Sequence, residues 1–315
     1  MHNAGSKKPP VGGQAVIEGV MMRGPAKVAT VVRRADGSFS SESRDFVSLS
    51  KRNRFFGLPV IRGAVTLFES LSLGFSSLSF SADMAMEDEK KEKGEETSGE
   101  DGKKPLKERI MTALSFVFAF LMGIAIFMAL PYFITGVLPF TKESNPAAFN
   151  LAAGFIRVVF FLIYVYSISF LKDIKAVFQY HGAEHKSIFC YEAGEELTVE
   201  NCRKYTTKHP RCGTSFLLIA ALSCIIVFAA VDSLIALFWR AYISPEWYLR
   251  VAVHIPLIPL VSGISYELLK FADKYKKNPV LAFFNRPGLL LQNITTQEPD
   301  DRQIETAIKS LKEVL

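Results

Sequence analysis

Several familiar signatures are missing from this chain, and each absence removes a class of function. No apolar run precedes a small-residue cleavage site near the N-terminus, so no cleavable signal peptide is expected. Gly12-Gly13 lacks the Gly-Lys-Ser/Thr ending of a phosphate-cradling loop. No nucleophile-elbow sequence supports Ser/His/Asp catalysis. Neither an aromatic–basic pattern nor a DNA-binding module is present, so nucleic acid is not an expected partner. Internal repeats are absent. Cysteine and histidine are scarce, with four and five residues, and this scarcity makes their placement informative.

What the chain does have is apolar length. It is 49% hydrophobic with 26 Phe, yet 22% charged. Long apolar blocks between charged loops explain that mixture better than one soluble core. Four blocks are long enough to span a bilayer: Leu114–Leu138, Ala152–Leu171, Thr214–Phe238 and Tyr248–Ala272. The first is uncharged; the second carries Arg157, the third Asp232, and the fourth His254 and Glu267. Ionisable groups at membrane depth are costly and often functional, so a transport path is one reading of Asp232, His254 and Glu267. Arg157 or Lys270 is the expected partner of Glu267.

Positive charge sets the topology. Residues 1–57 carry ten Lys/Arg, 84–113 seven and 172–213 seven, whereas 139–150 has only Lys142. The alternation predicts four spans with both termini in the cytoplasm. Pro59–Ala82 is a fifth candidate of another kind. Ile61, Val65, Phe68, Leu71, Phe75 and Leu78 form a helical stripe, both flanks are basic, and a helix lying on the membrane is expected.

The remaining segments are read as follows. The first ten residues are expected to be disordered. Gly12–Pro25 reads as a glycine-punctuated polar loop. Val28–Arg33 and Ser38–Val47 read as strands joined by an Asp36-Gly37 turn. Glu87–Lys104, without an apolar residue, reads as a disordered linker. A terminal helix puts Ile304, Ile308, Leu311 and Leu315 on one face, with Asp300 and Asp301 at its start and Lys309 and Lys312 near its end.

Chemistry concentrates in one polar segment. His181-Gly-Ala-Glu184-His185 places two imidazoles four apart, on one helix face. His209 and Cys212 follow with a spacing of three, able to close the same site. Neutral imidazole and thiolate suit a divalent metal, zinc before others. The order H-x-x-E-H is also the inverted zincin pattern, in which the glutamate is the general base. Glu184 is the expected catalytic residue; His181, His185, His209 and Cys212 are the expected ligands. Glu18, Arg23, Lys186 and Arg211 are candidates to hold substrate. A cytosolic position keeps Cys190, Cys202 and Cys212 reduced or metal-bound. Cys224 reads as a packing residue.

Four motifs resemble the bacterial YqhQ family of membrane proteins: Gly12–Pro25, Tyr180–Lys186, His209–Ser215 and Leu291–Pro299. The similarity runs from about Gly12 to the C-terminus. It implies a domain of unknown function whose members are taken as metal-dependent enzymes; it implies no substrate.

The expected architecture is an α-helical polytopic protein of the inner membrane, with about four transmembrane helices, one interfacial helix and a small cytoplasmic α+β domain. Its parts are 1–57 glycine-rich loop and β-hairpin, 58–83 interfacial helix, 84–110 charged linker, 111–171 first two spans, 172–213 metal-site segment, 214–272 last two spans and 273–315 tail. A metal-dependent hydrolase is the first functional reading. A metal-stabilised scaffold or assembly factor is the second, and a transporter the third. The lipid bilayer and other membrane proteins are the expected partners.

Overall fold

The computed structural model describes residues 8–94, 111, 114–115, 117–119, 121–123, 125–139, 144–210, 212–238, 247–274 and 279–315. The chain is mostly helical, with one four-stranded antiparallel sheet near the N-terminus. The helices are α1 (Leu49–Arg52), α2 (Ile61–Glu92), α3 (Leu130–Gly136), α4 (Pro146–Ile168), α5 (Lys172–Ala193), α6 (Val199–Arg203), α7 (Gly213–Phe238), α8 (Trp247–Lys274), α9 (Pro279–Thr295) and α10 (Asp301–Val314). Two compact units result: residues 1–95, 167–218 and 262–315 make one, and residues 96–166 and 219–261 the other.

The first unit is built on the sheet. Gly12–Arg23, expected as a loop, is instead a hairpin of β1 (Gly12–Val16) and β2 (Gly19–Arg23), turning at Glu18 with φ 48. β3 (Lys27–Arg33) and β4 (Phe39–Asp45) follow as expected, joined through Gly37 at φ 85, and the order is β1-β2-β3-β4. The glycines that suggested a loop mark close packing. A Cβ on Gly19 would lie 2.3 Å from Val31 O, and one on Gly24 2.3 Å from Val314 O.

Period-two alternation divides the sheet into two faces. Val20, Met22 and Ala29 pack with Tyr180, Ala183 and Cys190 of α5, Cys202 of α6, and Ile304, Ala307 and Leu311 of α10. Met21 and Val28 pack on Leu73 of α2 across the other face. The sheet thus lies between α2 on one side and α5 with α10 on the other. An Asp300–Gln303 capping box starts α10; its buried stripe holds Ile304, Ile308 and Leu311, while Leu315 is exposed.

Helix α2 turns Glu69, Leu73, Ser77 and Ser81 inward at four-residue spacing. Glu69 accepts from Arg23 at 3.1 Å, Ser48 Oγ at 2.9 Å and Leu49 N–H at 2.6 Å, and the Thr30 hydroxyl donates to Ser77 at 2.9 Å. The stretch from Glu87, expected to be disordered, stays helical to Glu92. Arg34 pairs with Asp88 at 2.7 Å and Glu87 at 3.1 Å, and Lys91 bridges back to Glu87 at 3.0 Å. Residues 95–104 of that stretch lie outside the described residues, as do residues 1–7 of the segment expected to be disordered; Pro9 O accepts from the Tyr191 hydroxyl at 3.3 Å.

Among the described residues, two helices are long and apolar enough to cross a membrane, Val117–Gly136 and Ala148–Ile168; Ile219–Ile235 and Ala252–Leu268 are apolar but shorter. Within the second unit, α4, α7 and α8 meet at one polar point. Asn150 Nδ2 donates to Asp232 Oδ2 at 3.2 Å, and His254 Nε2 lies 2.8 Å from Asp232 Oδ1. The Phe228 ring stacks on His254 with centroids 4.3 Å apart. A Cβ on Gly154 would fall 2.3 Å from Ile225 Cγ2, so α4 and α7 touch closely there. Asp232 thus ties α4, α7 and α8 together through Asn150 and His254. Glu267, in the first unit, is held by Arg62 rather than by Arg157 or Lys270.

Candidate metal centre

Helix α5 carries His181 and His185 one turn apart with ring centroids 4.4 Å apart. Cys212, just before α7, brings Sγ to 3.1 Å from His181 Nε2. One ligand atom from each of His181, His185 and Cys212 lies within 4.8 Å of the others, a span that donors about 2.0–2.3 Å from a common zinc nearly bridge. All three side chains are buried.

Backbone carbonyls set the histidine tautomers. His181 Nδ1 lies 2.8 Å from Thr295 O, and His185 Nδ1 bonds to Thr207 O. A carbonyl only accepts, so each Nδ1 must carry the proton and each Nε2 presents a lone pair. Metal-binding histidines are held in the same way. His185 Nε2 is buried without a hydrogen-bond partner, and so is Glu184 Oε2. Burial pushes the His185 pKa down, against the smaller opposing effect of the Cys212 sulfur, and so favours the neutral ring. The donors and the orphaned nitrogen fit a borderline-soft divalent ion.

Glu184 lies between the two histidines, against β1. Burial raises its carboxyl above the usual range, while His181, His209 and a bond from the Gly13 N–H work the other way. A Cβ on Gly13 would come 3.0 Å from Glu184 Cδ, so glycine lets the strand approach. His209, the fourth expected ligand, is not among the three convergent donors. Its ring centroid is 5.6 Å from that of His185, and its Nε2 is 3.7 Å from Glu192 Oε2. Gln292 clamps its backbone, accepting from His209 N–H at 2.8 Å and donating to His209 O at 2.9 Å.

The last turn of α9 and residues 296–298 run past α5 as a strap. Gln297 N–H donates to Phe178 O at 2.9 Å, and Glu298 Oε1 meets Lys186 Nζ at 2.6 Å. Gly182 permits this approach, since a Cβ there would sit 2.1 Å from Gln297 O. Lys186 is thereby buried in a structural pairing that also includes Arg203 O at 3.1 Å. Glu18 accepts from the Tyr180 hydroxyl at 3.2 Å, one residue from His181. Arg23 is on the α2 face of the sheet with Glu69, away from α5. Arg211 lies outside the described residues. Sequence reasoning missed Thr207, Gln292 and Thr295, although the polar run after an apolar helix marked the strap.

Residues 58–315 match the family model described as "Protein of unknown function (DUF1385)". The chain is 36% identical over 319 residues to the "Uncharacterized protein YqhQ" of Bacillus subtilis (strain 168), a match covering 98% of this chain and 93% of that one. No solved structure matches. The family model takes in both α5 and the strap, the relative is matched along almost its whole length, and the chain therefore belongs to this DUF1385 family of YqhQ-like proteins.

Proposed function

We propose that the protein is a multi-pass membrane protein with a metal-dependent hydrolytic centre on its cytoplasmic side. Two long and two shorter apolar helices support four spans, and the Lys/Arg-rich loops support cytoplasmic termini and a cytoplasmic 172–213 segment. One observation carries the catalytic part: two Nε2 lone pairs and a thiol converge beside a buried carboxyl with an unpartnered oxygen. His181, His185 and Cys212 are the ligands, and three protein donors leave the fourth position that catalytic zinc sites keep open. A zinc ion held by these three residues would supply Lewis acidity and lower the pKa of a water beside it. Glu184 would be the general base for that water, because burial raises its basicity and the Gly13 N–H orients it with Oε2 left over.

The depth of the centre favours a second reading. His185 is 1% exposed and Cys212 8%. With His209 as a fourth donor the coordination is closed, and the metal stabilises a scaffold for other membrane proteins. Glu184→Gln separates the two readings. Under the catalytic reading the variant keeps about one zinc per chain but fails to complement a deletion strain, since loss of a general base typically costs about 100-fold or more in rate. Normal complementation with metal retained would remove the hydrolase and leave the scaffold.

A further inference from the structure

The chain from Phe55 to Ile61 reads Phe-Phe-Gly-Leu-Pro-Val-Ile, without a polar side chain. It is a turn rather than a core segment, with Phe55 58% and Leu58 48% exposed. Its apex seats on α8. Val60 has φ 69 and ψ −53, and Ile61 N–H donates to Pro59 O at 2.9 Å. This is a γ-turn in the left-handed region, strained for a β-branched residue and held by its surroundings. A Cβ on Gly263 would lie 2.3 Å from Val60 O, and one on Gly63 2.7 Å from Gly263 Cα. One turn further along α8, Arg62 grips Glu267 with Nε and Nη2 at 2.6 and 2.5 Å.

These contacts fix a depth. Gly263 precedes Lys270 by seven residues, which is about 10 Å of helix. If α8 spans the membrane, the apex sits well below the headgroups. Its backbone suits hydrocarbon, because the N–H groups of Gly57, Leu58, Ile61, Arg62 and Gly63 all donate to carbonyls within residues 53–60. The charges at that depth, Arg62 and Glu267, pair with each other. On the way out, α2 exposes Phe68 (70%), Leu71 (60%), Phe75 (70%) and Leu78 (45%) on the face opposite its buried Glu69, Leu73 and Ser77. On the way in, Lys51, Arg52 and Arg54 are exposed, as anionic headgroups require.

We infer that residues 55–61 dip into the cytoplasmic leaflet as a re-entrant apex, and that α2 climbs out along the acyl layer with Phe68, Leu71, Phe75 and Leu78 against lipid. Ile61 to Leu78 spans about 26 Å, so rising about 10 Å tilts the helix only about 20° from the membrane plane. The inference rests on the proposed reading of α8 as a span.

The test uses full-length protein in vesicles of phosphatidylglycerol and phosphatidylethanolamine, with spin labels at Leu58→Cys, Phe75→Cys, Phe155→Cys on α4 and Glu89→Cys near the end of α2. Protein with only its native cysteines gives the background. Collisions with oxygen should outnumber those with a water-soluble nickel chelate at 58, 75 and 155, with the ratio reversed at 89. Gly263→Leu should shift position 58 toward the nickel reagent by displacing Val60. Nickel preference at 58 and 75 with oxygen preference kept at 155 would overturn the inference and leave the spans standing. Nickel preference at 155 as well would remove the span reading and the inference together. Spin–spin broadening at 75 would assign the stripe to a second copy of the chain and overturn lipid as its occupant.

Discussion

Gly182→Ala should weaken zinc binding at the proposed centre even though it improves the helix. Alanine in a helix interior is favoured over glycine by about 1 kcal/mol, so propensity alone predicts stabilisation of α5. The packing predicts the opposite. The new Cβ would sit 2.1 Å from Gln297 O, 3.3 Å from Gln297 C and 3.2 Å from Thr207 Cγ2, so the strap must retreat about 1.3 Å to reach ordinary contact at 3.4 Å. That movement takes Thr295 O out of hydrogen-bond range of His181 Nδ1, now 2.8 Å away, and crowds the Thr207 segment whose carbonyl holds His185. Losing such an orienting partner typically weakens metal binding about 10–100-fold, or about 1.4–2.8 kcal/mol at 1.4 kcal/mol per tenfold. Zinc competition against a chromophoric chelator, with thermal unfolding of metal-free protein in parallel, measures both sides. The variant should bind zinc more weakly and unfold at a lower temperature. Wild-type affinity with a raised unfolding temperature would refute the role given to the strap.

Three further outcomes are expected. Asp232→Ala removes the acceptor that Asn150 and His254 share, and should destabilise the α4–α7–α8 tie by about 1–3 kcal/mol, read as earlier thermal aggregation in detergent; an unchanged midpoint would contradict the tie. Arg34 holds the Asp88 carboxyl below its ordinary value of 3.8, so the stability this pair adds is full above that value and is lost as pH falls through the depressed one. The gap in urea midpoint between wild type and Arg34→Met should therefore narrow as pH drops from about 5 toward about 2, and a constant gap would count against it. Cysteines introduced at Glu195 and Ser144, both exposed, report the topology: an impermeant thiol reagent on intact cells should label position 144 alone, and labelling at 195 would reverse the proposed orientation.

What could be read from the sequence was local. The Asp36-Gly37 turn, the four-residue spacing of His181 and His185, and the stripe of α10 each follow from a repeat or a turn preference within a few residues. The β1–β2 hairpin was missed because its glycines serve packing against Val31 and Val314, which the local sequence does not reveal. The charged end of α2 reads as linker because its partner, Arg34, lies 54 residues from Asp88 in the chain. Around the candidate centre the sequence points to His181, His185 and Cys212, which the fold brings together, but not to the groups that support them. Thr207 and Thr295 act through backbone carbonyls, and a carbonyl leaves no trace in residue type. Arg62 and Glu267, 205 residues apart, escaped for the same reason of distance.

The same long separations impose an order on biosynthesis. Ser310 bonds to Ala29 O across 281 residues, and His181 takes its orienting carbonyl from 114 residues downstream. Until α10 leaves the ribosome, Val20, Met22 and Ala29 lack part of their cover. Until residue 295 is made, His181 lacks the bond that fixes its tautomer. Both events come after α7 and α8 have been translated. A chain that stalls or is clipped before residue 292 therefore presents a partly uncovered sheet and a His181 ring without its orienting carbonyl at once. Such chains, with part of the apolar face of the sheet exposed, are the ones left open to proteases.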